Sequence, residues 1–324
     1  MANISVTTAC NRDCSYCFAR GARRAVAAHM SAETFEKALD FLARSGIEEA
    51  RLLGGEPTLH PEFQRLAEMA LRRGLRLRVF SNGRMPKAAL EWLESQPEER
   101  VAVLINFAPD DPPPAETLRR LGKRVTLGLN LHTPTVDPSF LPGAVREYGV
   151  APRVRLGLAH PMAEGGNRFL DPRHYRAVGR RVADFFEAAR EAGVEASFDC
   201  GFVPCMFPRG FLEAMGTAAG DIGTQCSPVL DILPDGKVVP CYPLAALARE
   251  PLPDGETADA LRARFTERFS SYRRLGVFRE CTVCEVRENG GCNGGCLAAS
   301  MQRLRTAPGP GGARASRQVP RGRS

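Results

Sequence analysis

Short apolar strands alternate with amphipathic helices through the first 200 residues, and no other feature restricts the fold as much. Strand-like runs fall at residues 4–8, 50–53, 75–80, 101–106, 125–130, 154–159 and 194–199. Helical periodicity fills residues 32–45, 61–73, 87–94, 115–121, 138–148 and 173–192. Ser31 heads the first helix with Glu33 in its first turn, a side-chain cap followed by an acid at the positive end of the helix dipole. A strand–helix–strand repeat predicts parallel strands joined by right-handed crossovers. Six such units predict an α/β fold that closes part-way into a (β/α)6 barrel. In sheets of this kind, ligands gather at the C-terminal ends of the strands.

The loops after the first three strands carry the chemistry. The first contains Cys10, Cys14 and Cys17 in a C-x3-C-x2-C spacing. Three clustered thiolates hold three irons of a four-iron cluster and leave the fourth open to a small molecule. The second loop is Gly54-Gly55-Glu56-Pro57 and the third is Ser81-Asn82-Gly83. Asn106 and Asn130 end the fourth and fifth strands and are expected to face the same pocket.

The pattern changes near residue 200. Eight further cysteines follow: Cys200, Cys205, Cys226, Cys241, Cys281, Cys284, Cys292 and Cys296. A hairpin is expected over residues 230–240 on the turn Pro234-Asp235-Gly236, and one surface helix over residues 257–275. The N-terminus lacks the regions of a signal peptide, and no apolar run is long enough to span a membrane. The chain is therefore expected to be cytoplasmic, where eleven cysteines point to metal or cluster ligation and not to disulfides. The net charge of +7 falls to about +1 once the six arginines of residues 303–324 are set aside. That Gly- and Pro-rich end reads as a disordered basic tail, so a nucleic-acid partner is not expected.

The first 200 residues resemble the radical S-adenosylmethionine (radical SAM) enzymes. The match rests on the three cysteines after the first strand, with Gly54-Gly55-Glu56-Pro57 and Ser81-Asn82-Gly83 after the next two. The resemblance implies a partial (β/α)6 TIM-like barrel over residues 1–199. It also implies a core 4Fe–4S cluster on Cys10, Cys14 and Cys17, with SAM chelating the open iron. Reductive cleavage of SAM then yields methionine and a 5′-deoxyadenosyl radical. By the same resemblance Tyr16, Gly54, Gly55, Glu56, Pro57, Ser81, Asn82, Asn106 and Asn130 are expected at SAM. Tyr16 is expected near the adenine, and the two glycines should let backbone approach the SAM amino group.

The later cysteines resemble the SPASM or twitch extension of that family, a small α+β domain expected over residues 200–302 with one or two auxiliary 4Fe–4S clusters. Two departures stand out. Seven residues separate Cys284 from Cys292 where the pattern usually has five, and no cysteine follows Cys296. Cys200 and Cys205 are numerous enough to fill the deficit. The expected grouping sets Cys226, Cys241 and Cys296 with one of this pair, and Cys281, Cys284 and Cys292 with the other. A zinc ribbon over residues 281–296 is the plainer alternative.

Enzymes with this architecture oxidise ribosomally made peptides, forming thioether or carbon–carbon crosslinks, or oxidise small alcohols such as cyclitols. The peptide reading leads here. Sulfatase-maturing enzymes tend to carry an acid where this chain has Tyr242, which weakens that version. A flavodoxin- or ferredoxin-type electron donor and a separate peptide-carrier protein are the implied partners. A non-catalytic iron–sulfur electron-transfer protein would have no use for Gly54-Gly55-Glu56-Pro57. No catalytic residue is assigned. Asp199, Asp231 and Tyr242 lie beside auxiliary cysteines and read as structural, as do the lone histidines His60 and His160.

Overall fold

The computed structural model describes residues 1–19, 28–215 and 226–306. The basic tail expected at residues 303–324 lies outside the described residues from 307 onward.

Six strand–helix units and a seventh strand form the first part. They run β1 (Asn3–Thr7), α1 (Ala32–Arg44), β2 (Glu49–Gly54), α2 (Phe63–Arg72), β3 (Arg76–Ser81), α3 (Lys87–Ser95) and β4 (Val101–Asn106). They continue with α4 (Ala115–Leu121), β5 (Val125–Leu131), α5 (Leu141–Tyr148), β6 (Arg153–Leu158), α6 (Tyr175–Glu191) and β7 (Glu195–Phe198). Neighbouring strands from β1 to β7 are all parallel. This is the expected partial barrel, with β7 and β1 unpaired to one another.

Local sequence explains the helices. Ser31 Oγ accepts the Thr34 N–H at 3.1 Å and caps α1. Phe35, Ala38, Leu39, Phe41 and Leu42 then fall on one face of α1 and are fully buried against the sheet. The longest helix, α6, buries Val178, Val182, Phe185, Phe186 and Ala189 in the same way. Gly179 lets a later segment rest directly on α6: a Cβ there would lie 1.9 Å from the Met206 carbonyl oxygen.

The hairpin forms as expected, with β8 (Asp231–Ile232) and β9 (Lys237–Val239) antiparallel. Gly236, at φ 74°, supplies the turn. Its placement was not legible in the sequence. Strand β8 pairs in parallel with the free edge of β1, setting Asp231 opposite Asn3 and Ile232 opposite Ile4. A further strand, β10 (Glu250–Pro251), pairs with β9. One ten-stranded sheet therefore runs through both parts of the chain, in the order β10-β9-β8-β1-β2-β3-β4-β5-β6-β7.

The single surface helix expected over residues 257–275 is corrected. The segment forms two helices, α8 (Ala258–Arg268) and α9 (Ser270–Arg273), after the short α7 (Phe211–Ala214). Phe269 lies between them and is buried, and Ala258, Leu261 and Phe265 turn into the core. Arginines dilute the apolar face of α8, which hid this burial. Phe265→Ala is expected to cost about 3–5 kcal/mol, where a surface site would cost under about 0.5 kcal/mol. The urea midpoint measures the difference.

Candidate active site

The loops after β1, β2 and β3 meet at one rim. Backbone hydrogen bonds tie the second to the first: Gly55 N–H donates to Thr7 O at 2.8 Å and Glu56 N–H to Ala9 O at 2.7 Å. The glycines are what permit this. A Cβ on Gly54 would lie 2.2 Å from Thr7 O, and one on Gly55 would lie 2.1 Å from Ala9 O and 2.8 Å from Cys10 Cβ. Gly54 also sits at φ 144°. The close approach seen is to the cysteine loop itself. Gly55→Ala is expected to push that loop outward at a cost of about 1–3 kcal/mol. It should lower bound core iron while far-UV circular dichroism stays unchanged.

Glu56 is fully buried, and its carboxylate is filled from within. It accepts from Thr58 Oγ1 at 2.7 Å, from Ser81 Oγ at 3.0 Å and from Asn82 N–H at 2.8 Å. Burial raises its pKa against the pull of these donors. Ser81 is buried as well, and its oxygen also accepts the Gly83 N–H at 2.9 Å. Glu56 and Ser81 thus join the loops after β2 and β3. Pro57 opens a short 3-10 helix (Pro57–Leu59) beside them. Asn82 turns the other way. Its Nδ2 donates to Asn11 Oδ1 at 2.9 Å and lies 3.8 Å from Cys10 Sγ.

A cavity of about 570 Å³ opens beyond the ends of β4 and β5, lined by Tyr16, Phe107, Asn130, His132, Phe140 and Arg168, among others. Tyr16 stacks on His132 with ring centroids 4.6 Å apart. Asn130 Nδ2 donates to Asn106 Oδ1 at 3.2 Å. Glycines on the adjacent strands make room for both amides. A Cβ on Gly157 would lie 2.7 Å from Asn130 Oδ1, and one on Gly128 3.1 Å from Asn106 Oδ1. Burial, and then the neighbouring Cys14, raise the Tyr16 hydroxyl's pKa. His132 escaped the sequence reading. It lies two residues beyond Asn130, one residue past the end of β5, and a strand's two-residue period carried one step further was the available signal. Arg12, in the cysteine loop, also escaped it. It pairs with Asp111 at 2.7 Å.

None of the eleven cysteines forms a disulfide. The eight later ones fall into two neighbourhoods. Burial, then Cys281, Cys292 and Cys284, push the Cys205 thiol up to about 11. Burial, then Cys226, Cys296, Asp231 and Cys200, push Cys241 well above its usual value. Backbone contacts agree. A Cβ on Gly276 would lie 2.7 Å from Cys281 Sγ, and one on Gly294 2.8 Å from Gly276 Cα. Gly294 N–H in turn donates to Cys292 Sγ at 3.3 Å. Cys205 sits in a one-turn 3-10 helix (Pro204–Met206), held on α6 by Gly179. On the other side, Leu230 N–H donates to Pro240 O at 3.1 Å and keeps the ends of the β8–β9 hairpin together. Asn293 Nδ2 donates to Cys226 O at 3.3 Å. Among the described residues, no three His, Cys, Asp or Glu side chains converge as they would on a single metal ion.

The hairpin also reaches the first cysteine loop. Tyr242 follows Cys241, packs with Cys17 and Leu53, and sets its ring 5.3 Å from that of Phe18. Asp231 is buried, accepts from Asn3 Nδ2 at 2.8 Å and from Tyr242 N–H at 2.8 Å, and is pushed up to about 6 by burial. His60 is satisfied on both nitrogens, by Met30 O and Glu62 N–H, as a structural histidine should be. His160 is not: its Nδ1 is buried without a partner.

Residues 4–210 match the Radical SAM superfamily. The chain belongs to that superfamily. It is a radical SAM enzyme, and membership implies SAM and a 4Fe–4S cluster. The donor set fits the cluster: three thiols outside any disulfide on one loop, with the second and third strands' loops bonded around it. A PqqA peptide cyclase of Methylorubrum populi is 24% identical over 94% of this chain and 82% of its own length. An S-adenosylmethionine-dependent nucleotide dehydratase of a Thermoplasmatales archaeon is 34% identical, but over 25% of this chain and 29% of its own length. The chain therefore spans under a third of that relative. Streptococcus suis SuiB, solved with S-adenosylmethionine, has the same fold with a TM-score of 0.64 at 15% identity, covering 93% of this chain and 73% of SuiB. SuiB has also been solved with its precursor peptide SuiA, where the TM-score is 0.54 at 13% identity, covering 82% of this chain and 63% of SuiB. No described helix is long and apolar enough to cross a membrane.

Proposed function

We propose that this radical SAM enzyme oxidatively modifies a ribosomally made peptide. The observation that carries this reading is the similarity to a peptide cyclase across 94% of the chain. The peptide-bound SuiB structure supports it by fold.

Cys10, Cys14 and Cys17 would hold the core cluster, and residues 1–199 would form the catalytic part. When bound, the cluster supplies the electron that divides SAM into methionine and a 5′-deoxyadenosyl radical. The chain's own work is placement. Gly54, Gly55 and Glu56 fix the cysteine loop, and Pro57 stiffens their exit. Asn82 holds Asn11 within that loop. The Tyr16–His132 stack, with Asn106 and Asn130, offers a flat wall and amide groups suited to an adenosine. The cavity's 570 Å³ lies within the range of about 300–1,000 Å³ common for small-ligand sites.

Residues 200–302 would carry two auxiliary 4Fe–4S clusters, one on Cys200, Cys226, Cys241 and Cys296, the other on Cys205, Cys281, Cys284 and Cys292. Removing a hydrogen atom leaves a carbon radical on the substrate. A net two-electron oxidation then needs an acceptor for the second electron, and clusters beside the barrel meet that need. A flavodoxin- or ferredoxin-type protein would return electrons to the core, and a carrier protein would present the peptide.

Reconstituted, reduced protein should convert SAM to 5′-deoxyadenosine, and should remove hydrogens from a peptide encoded beside its gene, read by mass spectrometry. Turnover of a polyol with no peptide turnover would overturn the peptide reading and leave the radical reading intact. Absence of 5′-deoxyadenosine with a fully iron-loaded protein would overturn both.

A further inference from the structure

We propose that His160 is a positioning residue for the auxiliary iron site that Cys200 closes, and that its ring N–H raises that site's reduction potential. The inference rests on the cluster assignment proposed for Cys200.

The contact is specific. His160 lies just past the end of β6, and Cys200 lies two residues past the end of β7. His160 Nε2 sits 3.2 Å from the Cys200 carbonyl oxygen and 3.9 Å from Cys200 Sγ. A carbonyl oxygen only accepts, so Nε2 carries the proton and Nδ1 does not need one. The same N–H is therefore shared between the carbonyl and, at longer range, the sulfur. Nδ1 is buried without a partner. Among the described residues, Cys200 supplies the hydrogen-bond partner of this ring.

The surroundings are shaped for the contact. Gly201 sits at φ 96°, and a Cβ there would lie 2.1 Å from His160 Cε1 and 2.4 Å from Nε2. Only glycine lets the imidazole lie flat against the backbone next to Cys200. Asn167 holds the other side of the loop: its Nδ2 donates to His160 O at 2.8 Å and to Tyr16 O at 3.2 Å, and its Oδ1 accepts the Met162 N–H at 3.0 Å. His160 is 6% exposed, whereas Cys200 is exposed. An N–H aimed at a ligand sulfur withdraws negative charge from the cluster and favours its reduced form. An electron arriving from a substrate radical is then held more readily at this site.

The test is an anaerobic redox titration of the iron-loaded holoenzyme, followed by electron paramagnetic resonance. Cys200→Ala identifies which auxiliary signal belongs to this site. In His160→Phe that signal should be harder to reduce by about tenfold in its equilibrium constant, which is about 59 mV for one electron. His160→Gln keeps an N–H donor and should fall between Phe and the native protein. The core and the other auxiliary signal should not move. A His160→Phe or His160→Gln holoenzyme that titrates like the native one would overturn the proposal. So would a loss of about four Fe in His160→Phe, because the ring would then hold the cluster and not tune it. If His160→Phe does not fold, the shift in His160→Gln decides. Native protein with only about four Fe would overturn the auxiliary-cluster reading itself, whereas full iron with unmoved potentials would overturn the role of His160 alone.

Discussion

Cys14→Ala should give a folded protein that no longer cleaves SAM. The cysteine is the middle member of the loop that leaves β1, and its backbone O accepts the Cys17 N–H at 3.1 Å. Removing its thiol takes away one of three protein ligands, so the core site should lose its cluster, about four Fe, with its characteristic absorbance. The loop's own supports lie elsewhere, in the bonds from Gly55 and Glu56 to Thr7 and Ala9. The thermal unfolding profile should therefore stay close to that of the native chain without iron. Production of 5′-deoxyadenosine should drop to background while any auxiliary clusters keep their signals. A variant that still cleaved SAM at the native rate would remove these three thiols from the centre of the mechanism.

The second large effect separates Cys200 from Cys205. They are five positions apart in sequence, yet their thiol neighbours differ. Cys205 faces Cys281, Cys292 and Cys284, whereas Cys241 has Cys226, Cys296 and Cys200 around it. Cys200→Ala and Cys205→Ala should each remove about four Fe, and each should erase a different auxiliary signal. Both variants should still make 5′-deoxyadenosine from SAM, because the core loop is intact. Both should lose most substrate oxidation, because an acceptor for the second electron is missing. If the two substitutions erased the same signal, the partition of the eight cysteines would be wrong. If neither changed the iron content, Cys200 and Cys205 would not be ligands at all.

Much of this architecture was legible from periodicity. The apolar faces of α1 and α6, and the seven parallel strands, repeat over enough residues to stand out from their loops. The cysteine loop was legible because its spacing has few other uses. What stayed hidden were pairings between distant segments. Nothing in Asp231-Ile232 announces that it will lie beside Asn3-Ile4, because a two-residue strand has no period to read. The partners of Glu56 were hidden for a related reason. Two of the donors to its carboxylate, Ser81 and Asn82, come about 25 residues later. His160 was passed over because a solitary histidine carries no signal until its neighbour is known. Its partner at Cys200 is forty positions away.

The parallel pairing of β8 with β1 has a consequence for how such a protein can be cut and rebuilt. The strand that launches the core cysteine loop is covered on its outer side by the hairpin that ends at Cys241. A chain stopped after residue 199 would keep every core cysteine, yet it would leave β1 as a bare edge, with unpaired amides ready to recruit another strand. Such a fragment would be prone to stick to its own copies. The cysteine-rich half is thus no detachable cassette, and swapping it between relatives requires carrying a matching first strand along with it.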